Sequence, residues 1–263
     1  MKPLFLFLLA VFTLSGYAQE IGLPARLLVK NRTATETYVG TDAFGWEYTI
    51  ADNEFRKAKE SRVLKYKTLS LGDIYKADIQ NPLQIVLFYR KFNAVVLLDN
   101  QLNETSRIMF SDLNEPVVAE AVTLASQNRL WVYDVNRQQI GLYDIAKATF
   151  RTITSPFSDP LKYYQSDYNY FYWIDSKNNS YSLNLFGKVQ QLGKVPDYSQ
   201  VQLAPPGNAI IYNNEGLFVF SFTDNTLKPV VPVDKSFRGF HYAAQILSIF
   251  TENEITQYKV TLP

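Results

Sequence analysis

Short runs of β-branched and aromatic residues, each closed by a polar break, recur along most of the chain. The clearest are residues 46–50 (WEYTI), 84–89 (QIVLFY), 130–134 (LWVYD), 170–175 (YFYWID), 209–212 (AIIY) and 246–251 (ILSIFT). Sustained helical periodicity is missing between them, so the pattern predicts strands. The starts of these runs lie 38, 46, 40, 39 and 37 residues apart. A self-similar period of about that length marks a repeat architecture, in which one supersecondary unit is copied along the chain.

Each unit keeps one internal order. A lead-in strand is followed by the apolar run, a polar break, an alternating strand and a short final strand. The unit around Tyr170 reads NYFYWID, the break SKNN, SYSLNLFG and then KVQQLG. Four strands in one such unit describe a propeller blade. Unbroken apolar runs suit strands buried on both faces, and alternating ones suit strands with one wet face. Six blades are predicted, at about 37–71, 72–114, 115–155, 156–194, 195–233 and 234–263. The last contains only three strands, FHYAA, ILSIFTE and EITQYKVTL, which leaves an edge open to association. A spare strand at 25–31 (ARLLVKN), within a closing segment of about 25–33, is predicted to complete it. The expected fold is therefore all-β: a six-bladed β-propeller of four-stranded blades, closed by an N-terminal strand.

One blade carries a recognisable signature. Tyr172-Trp173-Ile174-Asp175 resembles the YWTD motif of six-bladed propellers, with Ile174 where that motif has Thr. Trp131-Val132-Tyr133-Asp134 and Leu97-Leu98-Asp99 are looser echoes. The plan of apolar strand, Asp or Asn turn and second strand is similar to that of NHL- and TolB-type propellers. The resemblance implies a member of this six-bladed superfamily, without selecting a subfamily. That it is an exported bacterial member is expected from the N-terminal leader and the lack of cysteine.

Composition then narrows the function. The chain has no cysteine and one histidine, which excludes disulfides, thiol chemistry and multi-histidine metal centres. A formal charge of +1 gives no bulk electrostatic reason to bind nucleic acid. Aromatics stand out, with 18 Phe, 18 Tyr and 3 Trp, and large flat side chains filling the wedges between blades account for them. Residues 1–18 read as a secretory signal peptide: Lys2, an apolar run over 4–14, then Gly16-Tyr17-Ala18 before Gln19. That run is about eleven residues, too short for the roughly 20 that span a bilayer. Its removal leaves residues 19–263 as a single propeller domain of 245 residues with 25 basic and 25 acidic side chains. Export to a periplasm or outer cell surface is expected, with no transmembrane segment in the mature chain.

Candidate chemistry is sparse. There is no G-x-S-x-G elbow, H-E-x-x-H motif or P-loop. His241, in the segment beginning at Arg238, is either a channel-lining base or a hydrogen-bonded strand residue. Asp42, Asp78, Asn81, Asp167 and Asn169 supply oxygens near the innermost strands and can converge on a hard cation, but the same residues suit ordinary turns. No metal or cofactor is expected. Arg56, Lys57, Lys59, Arg62, Lys65 and Lys67 form a basic cluster, read as a solvated outer-strand face of the first blade or a surface for an acidic partner. Tyr163, Tyr164 and Tyr168 lead into the YWID strand and, with Arg238 and His241, are the candidate binding residues. The expected function is a non-catalytic scaffold for a protein partner in the bacterial envelope, peripheral to an outer-membrane complex. The alternative is a hydrolase or lyase acting on sugars or lactones through carboxylates.

Overall fold

A computed structural model describes residues 22–32, 37–233, 237–251 and 254–263, so the signal-peptide reading of residues 1–18 falls outside the described residues. Six antiparallel sheets follow one another along the chain. The first blade runs Thr37–Thr41, Glu47–Ala51, Glu54–Lys59 and Arg62–Tyr66; the second Lys76–Asp78, Ile85–Tyr89, Ala94–Leu98 and Glu104–Met109. The third is Ala119–Ala125, Arg129–Asp134, Gln139–Asp144 and Thr149–Thr152; the fourth Leu161–Ser166, Tyr170–Asp175, Asn179–Asn184 and Val189–Lys194. The fifth is Gln200–Ala204, Asn208–Asn213, Gly216–Ser221 and Thr226–Val231, and the sixth opens with Gly239–Ala243, Ile246–Phe250 and Glu254–Lys259. In each, neighbours in sequence are neighbours in the sheet, and the first strands of successive blades meet around the central axis. The turns after the first strands lie on one face of the ring, here the upper face, with the turns between third and fourth strands. The remaining turns and the inter-blade crossovers lie on the lower face.

The core sits between blades. All five residues of Ile85–Tyr89 are buried, because alternate side chains enter different interfaces. Ile85, Leu87 and Tyr89 join Tyr48 and Phe55 of the first blade, whereas Val86 and Phe88 join Val122, Leu130 and Val132 of the third. The third and fourth blades close over Trp131, Phe171 and Trp173, the fourth and fifth over Tyr172, Ile174 and Ile211, and the fifth and sixth over Ile210, Leu247 and Tyr258. Aromatic contacts run through these wedges, with Tyr133, Phe157, Trp173 and Tyr181 stacked in series at 5.0–5.5 Å. Between the sixth and first blades, Tyr38 packs on Phe250 at 5.4 Å.

Ring closure uses the N-terminal segment twice. Arg26–Arg32 pairs antiparallel with Glu254–Lys259 and becomes the outer strand of the sixth blade. Just before it, Leu23–Pro24 adds in parallel to Thr226–Val231, a fifth strand on the fifth blade that the hydrophobic pattern did not signal. Ala25 between the two is buried in the core of the fifth and sixth blades. No described helix is long and apolar enough to cross a membrane.

Candidate functional site

The innermost strands are tied together by side chains that reach one repeat onward. Gln165 of the fourth blade donates to Leu203 O and accepts from Leu203 N, both at 2.9 Å, in the fifth. Gln202 of the fifth does the same to Tyr242 of the sixth, both bonds at 2.7 Å. Asp78 of the second accepts from Leu124 N of the third at 2.7 Å. Each clamp satisfies backbone groups that the inner edge of a sheet leaves unpaired. His241 occupies in the sixth blade the pairing position that Gln165 and Gln202 occupy in theirs. It abuts Gly40 of the first blade, where a Cβ would stand 3.3 Å from the imidazole, and desolvation pushes its pKa down to about 4.

Lys76 crosses this channel. Its ammonium passes from the second blade to the fourth, donating to Tyr164 O at 2.6 Å and standing 3.7 Å from the centroid of the Tyr164 ring. Enclosure of the charge pushes its pKa down to about 8, against the opposing pull of Asp78 two residues on. Burial raises the Asp78 carboxyl in turn, despite the backbone bonds from Leu124 and Gln80. Above this strut, Tyr168 Oη donates to Gln80 O at 3.2 Å, again from fourth blade to second. The Gln80 amide, oriented to donate to Ser166 O at 3.0 Å, accepts from Tyr168 N at 3.2 Å. The upper mouth is thus bridged between these blades by Tyr168 and Gln80.

The five residues singled out in the sequence do not converge. Tyr163 and Tyr164 leave one strand on opposite sides, into the cores shared with the fifth and third blades respectively. Tyr163 Oη donates to the clamping Gln165 at 2.6 Å, and Tyr164 Oη is buried with no hydrogen-bond partner among the described residues. Tyr168 is at the upper mouth, Arg238 precedes the sixth inner strand at the lower end, and His241 sits at the junction of the sixth and first blades. Tyr168 is exposed on the upper face and Arg238 on the lower, so the two exposed residues of the five lie at opposite ends.

The carboxylates build turns. Asp42, Asn81, Asp167 and Asn169 lie beyond the ends of the inner strands, and only Asp78 is on one. Asp42 and Asp167 each cap two backbone amides of their own turn, and Asn81 caps Leu83 N. No cluster of three or more metal-ligating acids or histidines occurs among the described residues. The basic cluster is a solvated face at Lys59, Arg62, Lys65 and Lys67, which are exposed, and departs from one at Lys57. Lys57 is 3% exposed and donates to Asn100 O of the second blade at 3.1 Å, and desolvation lowers its pKa. Arg56 and Lys65 share Glu54, Lys59 holds Phe44 O, and Lys67 holds Asp52 O.

What the sequence reading missed is a cleft of about 480 Å³ on the upper side between the fourth and fifth blades. Asp167, Tyr170, Tyr172, Ser182 and Gln190 line it, with Pro205 and Pro206 of the fifth blade forming the far wall. Tyr170 packs on Tyr172 at 5.9 Å and remains 42% exposed. A second cleft, about 520 Å³ between the third and fourth blades, is lined by Phe157, Trp173 and Tyr181 with Asp159 and Asp175. Both acids there are occupied, Asp159 by Lys177 and Asp175 by its own turn.

No protein-family profile and no curated protein matches the sequence. Solved structures do match in shape. A virginiamycin B lyase from Staphylococcus aureus superposes with a TM-score of 0.60 at 10% identity, covering 93% of this chain and 97% of its own. A streptogramin B lyase gives 0.58 at 10% identity over 89% and 98%. The β-propeller domain of Cps50 (Swd1) from Myceliophteria thermophila gives 0.58 at 12% identity over 90% and 100%. At such identities the likeness is one of fold, and the chain is a six-bladed β-propeller.

Proposed function

We propose that this chain is a non-catalytic, exported propeller scaffold that docks a protein partner in the bacterial envelope, as an accessory of an outer-membrane assembly. The observation carrying the reading is the upper face. Its axial mouth is bridged by Tyr168 and Gln80, and the turns around it present large apolar side chains to water. Phe186 is 94% exposed, and Phe44 and Leu83 are each 67% exposed. Large apolar groups held open on turns of a rigid scaffold suit protein recognition. A catalytic reading finds less support. Glycoside hydrolysis uses two carboxyl groups facing each other across the bond, and the two acids on the described inner strands are otherwise engaged, Asp78 by Leu124 N and Glu120 by Arg90.

The test is comparative capture from native envelopes, with the wild-type chain beside a Phe44→Asp/Phe186→Asp variant and a lower-face Leu69→Asp control. The scaffold reading expects one partner retained by the wild type and the control and lost by the upper-face variant. The recovered chain should begin at Gln19 by mass spectrometry. Equal recovery by all three chains, or a partner lost only with the Leu69 change, would count against the upper face.

A further inference from the structure

The first and fourth blades build the same corner from the same residue types. In the first, Asp42 Oδ1 accepts from Phe44 N at 2.9 Å and Trp46 N at 3.0 Å, and Oδ2 accepts from Tyr48 Oη at 2.8 Å. In the fourth, Asp167 Oδ1 accepts from Asn169 N at 2.8 Å and Tyr170 N at 2.7 Å, and Oδ2 accepts from Tyr172 Oη at 3.0 Å. The adjoining strand differs at a decisive position. Tyr48 is paired with Lys57, whereas Tyr172 is paired with Ser182. Lys57 occupies the first corner, its ammonium 4.9 Å from the Trp46 ring centroid and 5.4 Å from that of Tyr48 while it donates to Asn100 O at 3.1 Å. With serine in that position, the fourth blade keeps the acid and both rings but leaves the cleft of about 480 Å³ open.

The chain's own occupant of such a corner is therefore a primary ammonium group. We infer that the cleft between the fourth and fifth blades binds a primary alkylammonium ligand, most simply a lysine side chain of a docked protein. Asp167 supplies the opposite charge, and the cleft has no Lys, Arg or His in its lining. Tyr170 and Tyr172 supply ring faces to which cations are attracted. The Ser182 hydroxyl and the Gln190 amide make no side-chain hydrogen bond among the described residues, so their oxygens are available to the three protons of an ammonium. Leu192 and Pro206 offer apolar surface to its alkyl stem. An anionic ligand would meet Asp167 with no cation to balance it. The volume lies within the roughly 300–1,000 Å³ usual for small-molecule sites. Lysine as the source of the amine rests on the protein-docking reading, but the ammonium chemistry does not.

The experiment is calorimetric titration of the purified chain with cadaverine, with acetyl-Gly-Lys-Gly-amide, and with 1-pentanol as the uncharged control. Saturable binding of both amines and none of the alcohol is expected. Asp167→Asn, which keeps an oxygen to cap the turn, should weaken binding by about tenfold or more, the loss of a charge-assisted contact. Ser182→Lys should fill the cleft as Lys57 fills its counterpart and abolish binding, and Asp167→Asn carries the test if that variant fails to fold. Tighter binding of the peptide than of cadaverine supports a partner's lysine, and equal binding supports a free amine. No saturable binding of either amine, equal binding of pentanol, or indifference to both substitutions overturns the inference. Amine binding that persists after the envelope capture has failed would remove the docking reading alone.

Discussion

Folding desolvates His241, and no charged neighbour among the described residues offsets this, so its pKa falls to about 4 from an ordinary 6.5. The folded chain then binds fewer protons than the unfolded chain between those two values. Stability contributed by keeping the ring neutral is fully present above pH 6.5 and is lost as pH falls toward 4. At about 1.4 kcal/mol per pH unit, the penalty at pH 4.5 is roughly 2–3 kcal/mol. Replacing His241 by Gln, the residue at the equivalent positions 165 and 202, should remove that part of the acid sensitivity. Urea unfolding at pH 7 and pH 4.5 checks it: wild type should lose about 2–3 kcal/mol more than the variant. An identical loss in both would place the acid sensitivity elsewhere. At this scale the sequence was informative about type but not about role. Asp175 of the YWID segment was legible as a motif residue, and its side chain caps the turn through Lys177 N and Asn179 N. The acids proposed for a cation serve the same purpose, since a short carboxylate after a strand looks identical in sequence whether it holds a metal or its own amides.

At the level of elements, the strands themselves were the readable part. Runs such as IVLFY and LWVY are apolar at every position because they are buried on both sides, and they are too short for a helix. The clamps between inner strands were not readable. Gln165 and Gln202 stand one repeat apart, but a glutamine in an alternating strand reads as an ordinary outward polar residue until its partner on the next blade is known. Lys57 escaped for the same reason, because its neighbours Arg56 and Lys59 suggested a wet surface while alternation turned it inward. The Gln202 clamp can be measured. Gln202→Ala leaves Tyr242 N and O without partners, and each orphaned backbone group costs about 1–3 kcal/mol. Water in the channel recovers part of this, so a loss of about 2–4 kcal/mol is expected in urea unfolding. Gln202→Glu should lose a comparable amount, because a carboxylate accepts from Tyr242 N but cannot donate to Tyr242 O. A glutamate variant as stable as wild type would show that the clamp contributes through packing alone.

The whole molecule depends on how a repeat chain closes on itself. Five blade junctions carry buried clusters of eight or more residues, and each is formed by blades adjacent in sequence. The sixth junction joins the two ends of the chain, and the described contacts there include Tyr38 with Phe250 and His241, and Gly40 with His241. Chain connectivity cannot hold those ends together, so the N-terminal strand does it. Arg26–Arg32 completes the sixth blade while the following residues begin the first. Leu23–Pro24 anchors the same segment to the fifth blade, so one short stretch fastens three blades. A chain lacking residues 1–32 therefore loses two strand pairings, buried Ala25 and the covalent link across the seam, and exposes the full edge of Glu254–Lys259. Its melting temperature should fall by at least about 5 °C, the shift of a few kcal/mol in a domain of this size. The bare edge should also make it associate, seen as light scattering that grows with protein concentration. Adding residues 22–32 back as a separate peptide should reverse both effects, because the strand pairs through backbone groups that remain in place on the sixth blade. A truncated chain that melts as the full one does and stays monomeric would mean that the first five junctions suffice to hold the ring.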